Sequence, residues 1–207
     1  MSTITLTPPN VRLITFGIIG ASPLIMHKWS EKAKKMMRLT AAERKKIMKV
    51  ARDPEQEAAD AMYTLPDGSP GFPVVALKAA LIDAAHKDLG LERTLFRKAF
   101  FIHGAHGNLV PFDHSDPILR EDFVRVGRGQ SDFRYRPMFE EWRVTIQAEI
   151  DYDLLNEQDV VNLVNRAGFS IGLLEWRPSC DGEFGRFRLD TNVPVTMESI
   201  DHWGVAA

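Results

Sequence analysis

The sequence has few of the residues that mark secreted, zinc-binding or membrane proteins. Cys180 is the only cysteine in 207 residues, which excludes an intrachain disulfide and a cysteine-rich zinc site. No apolar run approaches the roughly 18 residues of a membrane-spanning helix, and residues 1–10 lack the basic flank and apolar stretch of a secretion signal. We therefore expect a cytoplasmic protein that does not interact with a membrane.

Sequence signatures of cofactor enzymes are missing as well. There is no phosphate-binding glycine loop, no dinucleotide fingerprint and no nucleophile elbow, so we expect no cofactor. The residues that most resemble a set of metal ligands are His103, His106 and His114, with Asp113 and Asp116 nearby in the sequence. Histidines in glycine-rich loops are commonly solvated, and we expect no metal site.

Acidic residues are scarce in one part of the chain. Residues 28–52 contain ten basic and two acidic residues, a net charge of +8, whereas the whole chain carries −2. An acidic body with one basic segment suits a protein that handles a polyanion on one face. A solvated helical face explains the same composition equally well. The cations expected to contact phosphates in this segment are Lys28, Lys32, Lys35, Arg38, Lys45 and Lys46.

The hydrophobic pattern predicts an α+β fold. Alternation of apolar and polar side chains is clearest in residues 142–152, which indicates a strand with one buried face. Helical spacing of apolar residues is clearest in residues 74–87. The predicted order is strand 11–18, helix 74–87, strand 99–102, strand 142–152, helix 157–167 ended by Gly168, and strand 184–189.

This order is typical of the ferredoxin-like fold, an antiparallel sheet with two helices on one face. The opposite face is then available for a ligand, as in RNA-recognition modules of the same topology. We expect a single domain over residues 1–207 with two insertions. The insertions are residues 28–62, with basic helices at 31–38 and 41–50 and an acidic helix at 55–62, and the loop-rich, arginine- and aromatic-rich residues 104–141.

Arginines recur in the second insertion among aromatic residues and glycines. Guanidinium groups fork onto phosphates while rings stack on unpaired bases, so this mixture suits a single-stranded nucleic acid. Acidic neighbours such as Asp122 and Asp132 offer an alternative, in which the arginines form ion pairs within the protein. On the first interpretation, Arg134 and Arg136 contact the nucleic acid.

A third cluster lies in residues 175–187. Gly182 and Gly185 let a backbone approach a phosphate closely, and Arg177 and Arg186 are placed to hold it. The alternative is a β-hairpin whose aromatic residues are core and whose glycines serve the turn.

Two segments far apart in the chain carry a family pattern. The first strand continues as residues 20–26, which read Gly-Ala-Ser-Pro-Leu-Ile-Met, and residues 176–187 run from Trp-Arg-Pro to Gly-Glu-Phe-Gly-Arg-Phe. With the ferredoxin-like element order, they resemble the RAMP superfamily of CRISPR-associated proteins. The closest similarity is to subunits that coat the guide RNA as the backbone of effector complexes, and to stand-alone phage relatives. The resemblance implies a modified RNA-recognition fold, a helical array of subunits and an RNA backbone held by basic residues of insertions.

The sequence thus predicts a non-catalytic protein that binds single-stranded RNA or DNA and oligomerises along it, and the resemblance adds CRISPR effector subunits as partners. Two alternatives stay open. RNA-processing endoribonucleases of the same superfamily use a histidine soon after the first strand, where His27 stands here, so a metal-independent endoribonuclease is the first. The second is a phage protein that mimics or inhibits a host CRISPR complex. Outside the basic segment, the residues expected at the nucleic acid are Arg134, Arg136, Trp176, Arg177 and Arg186.

Overall fold

A computed structural model of the chain describes residues 9–29, 31–40, 43, 51–126 and 130–200. It is a mixed α+β structure whose sheets are antiparallel. In chain order the elements are β1 (Val11–Gly20), β2 (Leu24–Ile25), α1 (Glu31–Arg38), α2 (Pro54–Asp60), β3 (Phe72–Pro73), α3 (Val74–Leu89), α4 (Arg93–Ala99), β4 (Phe100–Ile102), β5 (Leu109–Val110), β6 (Asp113–His114), β7 (Ile118–Val126), β8 (Gln130–Phe139), β9 (Trp142–Asp151), α5 (Glu157–Ser170), β10 (Phe187–Leu189) and β11 (Thr196–Ser199).

The main sheet has the strand order β10, β1, β9, β4, and each neighbouring pair is antiparallel. The central pair fixes the register, because Phe16 lies opposite Ile146 and Ile18 lies opposite Val144. Residues that lie opposite each other project to the same face of a sheet. One face of the two central strands is therefore continuously apolar.

That apolar face forms the core together with α3 and α5. Leu77 and Leu81 of α3, and Leu163 of α5, are buried in the same cluster as the β1 and β9 side chains. The predicted strand at β9 is confirmed, since alternate residues from Trp142 onward are buried. On the other face of β9, Thr145 and other polar side chains are exposed.

Local sequence signals explain where several helices begin. Asp53 caps α2 by accepting a hydrogen bond from the Gln56 backbone N–H at 3.1 Å, and Pro54 follows it. Asn156 and Asp159 form a reciprocal capping box at α5. The predicted end of α5 at Gly168 is wrong. The helix continues to Ser170, and the missing side chain of Gly168 instead makes room for Phe187, whose carbonyl oxygen would lie 2.0 Å from an added Cβ.

The second insertion is more regular than its composition suggests. Residues predicted to be loop-rich contain a long antiparallel hairpin, in which β7 pairs with β8 from Ile118 opposite Met138 to Val126 opposite Gln130. β2 extends this hairpin by pairing with the end of β8, and α2 packs against it. Charged side chains on the inner face of the hairpin hide the alternation that normally indicates a strand.

Other boundaries also differ from expectation. Residues 93–99 form helix α4 ahead of the short strand β4, and the last predicted strand begins at Phe187 rather than at residue 184. The predicted helix at 31–38 is confirmed as α1. The predicted helix at 41–50, with Lys45 and Lys46, lies outside the described residues except at Glu43. Within the described ranges, no helix has the length and apolar character needed to cross a membrane.

Candidate nucleic-acid interface

The two segments that carry the family resemblance are joined by backbone hydrogen bonds. We call residues 20–27 the β1 extension and residues 171–186 the pocket loop. The Ala21 N–H donates to the Arg186 carbonyl at 2.8 Å, and the Gly185 N–H donates to the Pro23 carbonyl at 2.8 Å. The Glu175 N–H donates to the Ile25 carbonyl at 3.3 Å. Segments about 150 residues apart in the sequence thus form one structural unit.

The pocket loop folds tightly on itself. A Cβ added to Gly182 would lie 1.8 Å from the Trp176 carbonyl oxygen, and one added to Gly185 would lie 2.0 Å from that of Leu173. These glycines therefore allow the loop to approach its own backbone closely, as the turn alternative predicts. They do not serve the close approach of a phosphate. Leu174 and Trp176 have φ values of 60° and 52°, in the left-handed region that non-glycine residues rarely adopt.

A pocket of about 230 Å³ lies between the β1 extension, α3 and the pocket loop. Its apolar wall comes from alanines of α3, such as Ala76 and Ala80, and from Ile171 and Leu174 of the loop. Polar side chains complete the lining, and these are His27, Tyr63, Asp83, Glu175 and Arg177. His27 and Arg177, both singled out from the sequence, thus line one pocket.

Glu175 is the electrostatic centre of the pocket. Its Oε1 lies 3.6 Å from His27 Nδ1, and its Oε2 accepts a hydrogen bond from Arg136 Nη1 at 3.0 Å. The pKa of Glu175 is lowered, first by its interaction with His27 and then by the positive charge of Arg136 and Arg177. Burial raises the pKa of Tyr63, which shares the pocket.

We expect the Glu175→Gln variant to reveal this pairing through the pH dependence of its stability. A lowered pKa in the folded state means that the carboxylate stabilises the fold above its ordinary pKa of 4.5, and that this contribution is lost as pH falls through the lowered pKa. The difference in unfolding free energy between wild type and variant should be full at pH 7 and should shrink as the pH falls below 4.5. Urea unfolding at several pH values measures it, and a difference independent of pH would contradict the pairing.

Three cations, Lys28 and two arginines of the pocket loop, remain available to an anion. Among the described residues, no carboxylate forms an ion pair with Lys28, Arg177 or Arg186. Arg177 is held in place because its Nε donates to Ser179 Oγ at 2.9 Å and its Nη1 donates to the Leu174 carbonyl at 2.7 Å. These bonds use two of the five guanidinium N–H groups, so the others are free to bind a phosphate.

Helix α1 carries further positive charge and follows the β1 extension in the chain. It begins at Glu31, four residues after His27, so its first residue lies within about 14 Å of that histidine by chain length alone. Lys35 and Arg38 are exposed on α1, and Lys32 lies in its first turn. The basic segment thus starts at the edge of the pocket.

The hairpin arginines follow the alternative interpretation instead. Arg136 is only 2% exposed and is paired with Asp122, 3.4 Å away, and with Glu175. It cannot reach a phosphate, so its predicted contact with nucleic acid is wrong. Arg134 faces Asp132 at 3.6 Å, and Arg120 pairs with Asp122 at 2.8 Å. Of these ion pairs, the one between Arg136 and Asp122 joins β8 to β7.

Exposed aromatic side chains border the same region. Trp176 is 38% exposed, in agreement with a contact surface rather than with the core alternative. The guanidinium carbon of Arg186 lies 5.4 Å from the ring centre of Phe169, which is also exposed. Arginine beside an exposed ring is an arrangement on which an unpaired base can stack.

The histidines considered as metal ligands do not converge. His103 Nε2 lies 2.9 Å from Glu149, whereas the His114 ring packs against Phe112 and Phe139. Within the ranges that the structure describes, no group of three or more histidine, cysteine or acidic side chains is arranged to hold a metal ion.

Sequence reasoning missed three residues that line the pocket. Glu175 belongs to the late cluster, but its partners come from positions 27 and 136, and nothing in the local sequence indicates them. Tyr63 and Asp83 lie in segments interpreted as a loop and an amphipathic helix. Only the pairing of distant segments reveals them.

Comparison with known proteins does not extend this description. The chain matches no protein-family model and no curated protein at a significant level.

Proposed function

We propose that this protein binds single-stranded RNA without catalysing a reaction, along a surface that runs from α1 past the pocket to Arg186. The observation that carries the proposal is the hydrogen bonding of the β1 extension to the pocket loop, which brings His27, the chain neighbour of Lys28, to the same pocket as Arg177. Cations from distant parts of the chain thereby face one region. Phosphate groups are the ligands that such flexible and forked cations hold best.

The scaffold of this proposal is a ferredoxin-like sheet of the RAMP type. The strand order β10, β1, β9, β4, antiparallel throughout and packed against α3 and α5, supports it. A cytoplasmic location and assembly with further copies along the RNA belong to the same proposal. Electron micrographs of the purified protein with RNA test the assembly, since we expect filaments or rings that nuclease treatment removes.

The affinity for RNA should depend strongly on salt. Six phosphate contacts give a slope of about −4 for the logarithm of affinity against the logarithm of salt concentration, because each single-strand contact contributes about −0.7. Fluorescence anisotropy with a labelled oligo-uridine measures the slope. The six cations expected to make these contacts are Lys28, Lys32, Lys35, Arg38, Arg177 and Arg186.

Variants localise these contacts. The double variant Lys28→Ala, Arg177→Ala should make the slope less steep by about 1.4, which is the contribution of two contacts. Lys98→Ala is the matched control, because Lys98 is exposed on α4 and does not line the pocket. A slope near zero for the wild type, or an equal effect of the control, would refute the proposed surface. The same titration with oligo-deoxyuridine tests DNA.

A metal-independent endoribonuclease is the second candidate, and one observation favours it. His27 faces the Glu175 carboxylate in a pocket that also holds Tyr63 and Arg177. A histidine oriented by a carboxylate is the arrangement of a general base, and an arginine suits the developing charge of a phosphoryl transfer. Incubation of labelled RNA with the protein in chelator decides between the two. Cleavage that disappears in His27→Ala supports the nuclease, and intact RNA refutes it.

A further inference from the structure

We propose that the pocket between the β1 extension, α3 and the pocket loop receives one unstacked base of the bound strand and prefers guanine. This inference rests on the RNA binding proposed above and adds a base preference to it. Phosphate contacts alone carry no sequence information, so a base preference needs a separate group of side chains.

The size and walls of the pocket suit a single base. Its volume of about 230 Å³ is below the roughly 300–1,000 Å³ of sites for drug-sized ligands. Ala76, Ala80, Ile171 and Leu174 provide an apolar surface for the flat face of a ring. Arg177 stands at the same pocket with free N–H groups, where it can hold the phosphate of the same nucleotide.

The polar groups of the pocket are dominated by hydrogen-bond acceptors. Glu175 and Asp83 each present two carboxyl oxygens, with about a third of the side chain exposed. Each oxygen of these carboxylates already has one protein partner, His27 and Arg136 for Glu175, and Lys87 at 3.2 Å and Arg93 at 3.3 Å for Asp83. Each carboxylate oxygen retains capacity for another donor, because the two oxygens accept about four hydrogen bonds.

A base that fits these acceptors must present N–H groups. Guanine places its N1–H and its 2-amino group side by side, which matches the two oxygens of one carboxylate. Adenine and cytosine offer one amino group each. Uracil presents a single N–H between two carbonyl oxygens, and those oxygens would face the carboxylate charge. In the expected order of affinity, guanine therefore comes first and uracil comes last.

The backbone fixes Glu175 before any ligand arrives. Leu174 and Trp176, on either side of it, both hold left-handed φ values. Such a conformation costs a non-glycine residue free energy, and residues of this kind gather at functional sites. Arg136, almost fully buried, anchors the carboxylate, and its Nε has no hydrogen-bond partner among the described residues. The acceptor is thus held between two residues of left-handed conformation and a buried arginine.

The test compares labelled nine-nucleotide strands of uridine that carry a single guanosine, inosine, adenosine or uridine at the centre. Fluorescence anisotropy at one salt concentration should give about tenfold tighter binding for guanosine than for uridine, the discrimination expected of one bidentate base contact. Inosine lacks the 2-amino group and should lose most of this gain. Glu175→Gln should abolish the difference, because an amide replaces one acceptor by a donor.

A second variant protects the test against a folding defect in Glu175→Gln. Ala79→Phe fills the pocket from the exposed side of α3 and should make the affinities for the guanosine and uridine strands equal. Ala59→Phe, on an exposed position of α2 outside the pocket lining, is the control that should keep the preference. Equal binding of all four strands by the wild type overturns the base pocket and leaves RNA binding intact. Absence of binding to every strand overturns both.

Discussion

Replacing Arg136 with methionine is expected to destabilise the protein by about 3–5 kcal/mol, the usual cost of removing one partner of a buried ion pair. Arg136 is almost completely buried, and Asp122, which faces it, is 7% exposed. Without the guanidinium, the Asp122 carboxylate stays buried and keeps Arg120 as its ion-pair partner among the described residues. Glu175 loses a hydrogen bond at the same time.

Arg134 supplies the matched control for this variant. It lies two residues away on the same face of β8, but its side chain is more than a third exposed and its ion pair with Asp132 is longer. Arg134→Met should therefore cost about 0–1 kcal/mol, as exposed ion pairs do. Chemical unfolding of both variants at pH 7 measures the contrast. Similar losses for the two would show that Arg136 does not anchor the hairpin to the pocket loop.

Gly185→Ala is expected to cost about 3 kcal/mol. Part of this, about 1–2 kcal/mol, comes from the left-handed φ of 65°, which disfavours a residue with a Cβ. The rest arises because the new Cβ would meet the Leu173 carbonyl oxygen. To relieve that contact, the loop must weaken its hydrogen bonds to Leu173 and Pro23, each worth about 1 kcal/mol.

Gly90→Ala separates these two contributions. Gly90 ends α3 with a nearly equal φ of 67°, and a Cβ there meets nothing within 4 Å. It should cost only the conformational part, and RNA affinity should not change. Thermal unfolding compares the two variants, and RNA titration of Gly185→Ala should show weaker binding because the pocket loop is displaced. Equal losses in stability would mean that the loop adapts to the added methyl group.

The elements that bury one regular apolar face were predictable from the sequence. β9 alternates strictly, and the apolar residues of α3 recur at helical spacing, so local pattern and tertiary packing agree. The hairpin of β7 and β8 was not predictable from the sequence, because its inner face carries Asp122 and Arg136 in place of apolar side chains. In the sequence, the charged residues of a buried ion pair between strands look the same as the charged residues of an exposed loop.

The site was predictable in its parts but not in its arrangement. The family resemblance drew attention to His27 and residue type drew attention to Arg177, and the structure brings them to one pocket. The same reasoning could not separate Arg136 from Arg177, since both are arginines beside aromatic residues and only burial distinguishes them. Long-range pairing, which no local signal encodes, decides which cations are free.

The pairing of β1 with strands from the far end of the chain has a consequence for biosynthesis. β1 is made first, but its neighbours β9 and β10 follow more than 120 residues later. Contacts so distant in sequence form slowly, and an unpaired apolar strand is prone to join other chains. Until residue 189 has left the ribosome, the nascent chain has neither a closed sheet nor a pocket. The pocket therefore assembles only after nearly all of the described chain has been synthesised, and β1 stays without its partner β9 until residue 151 is made.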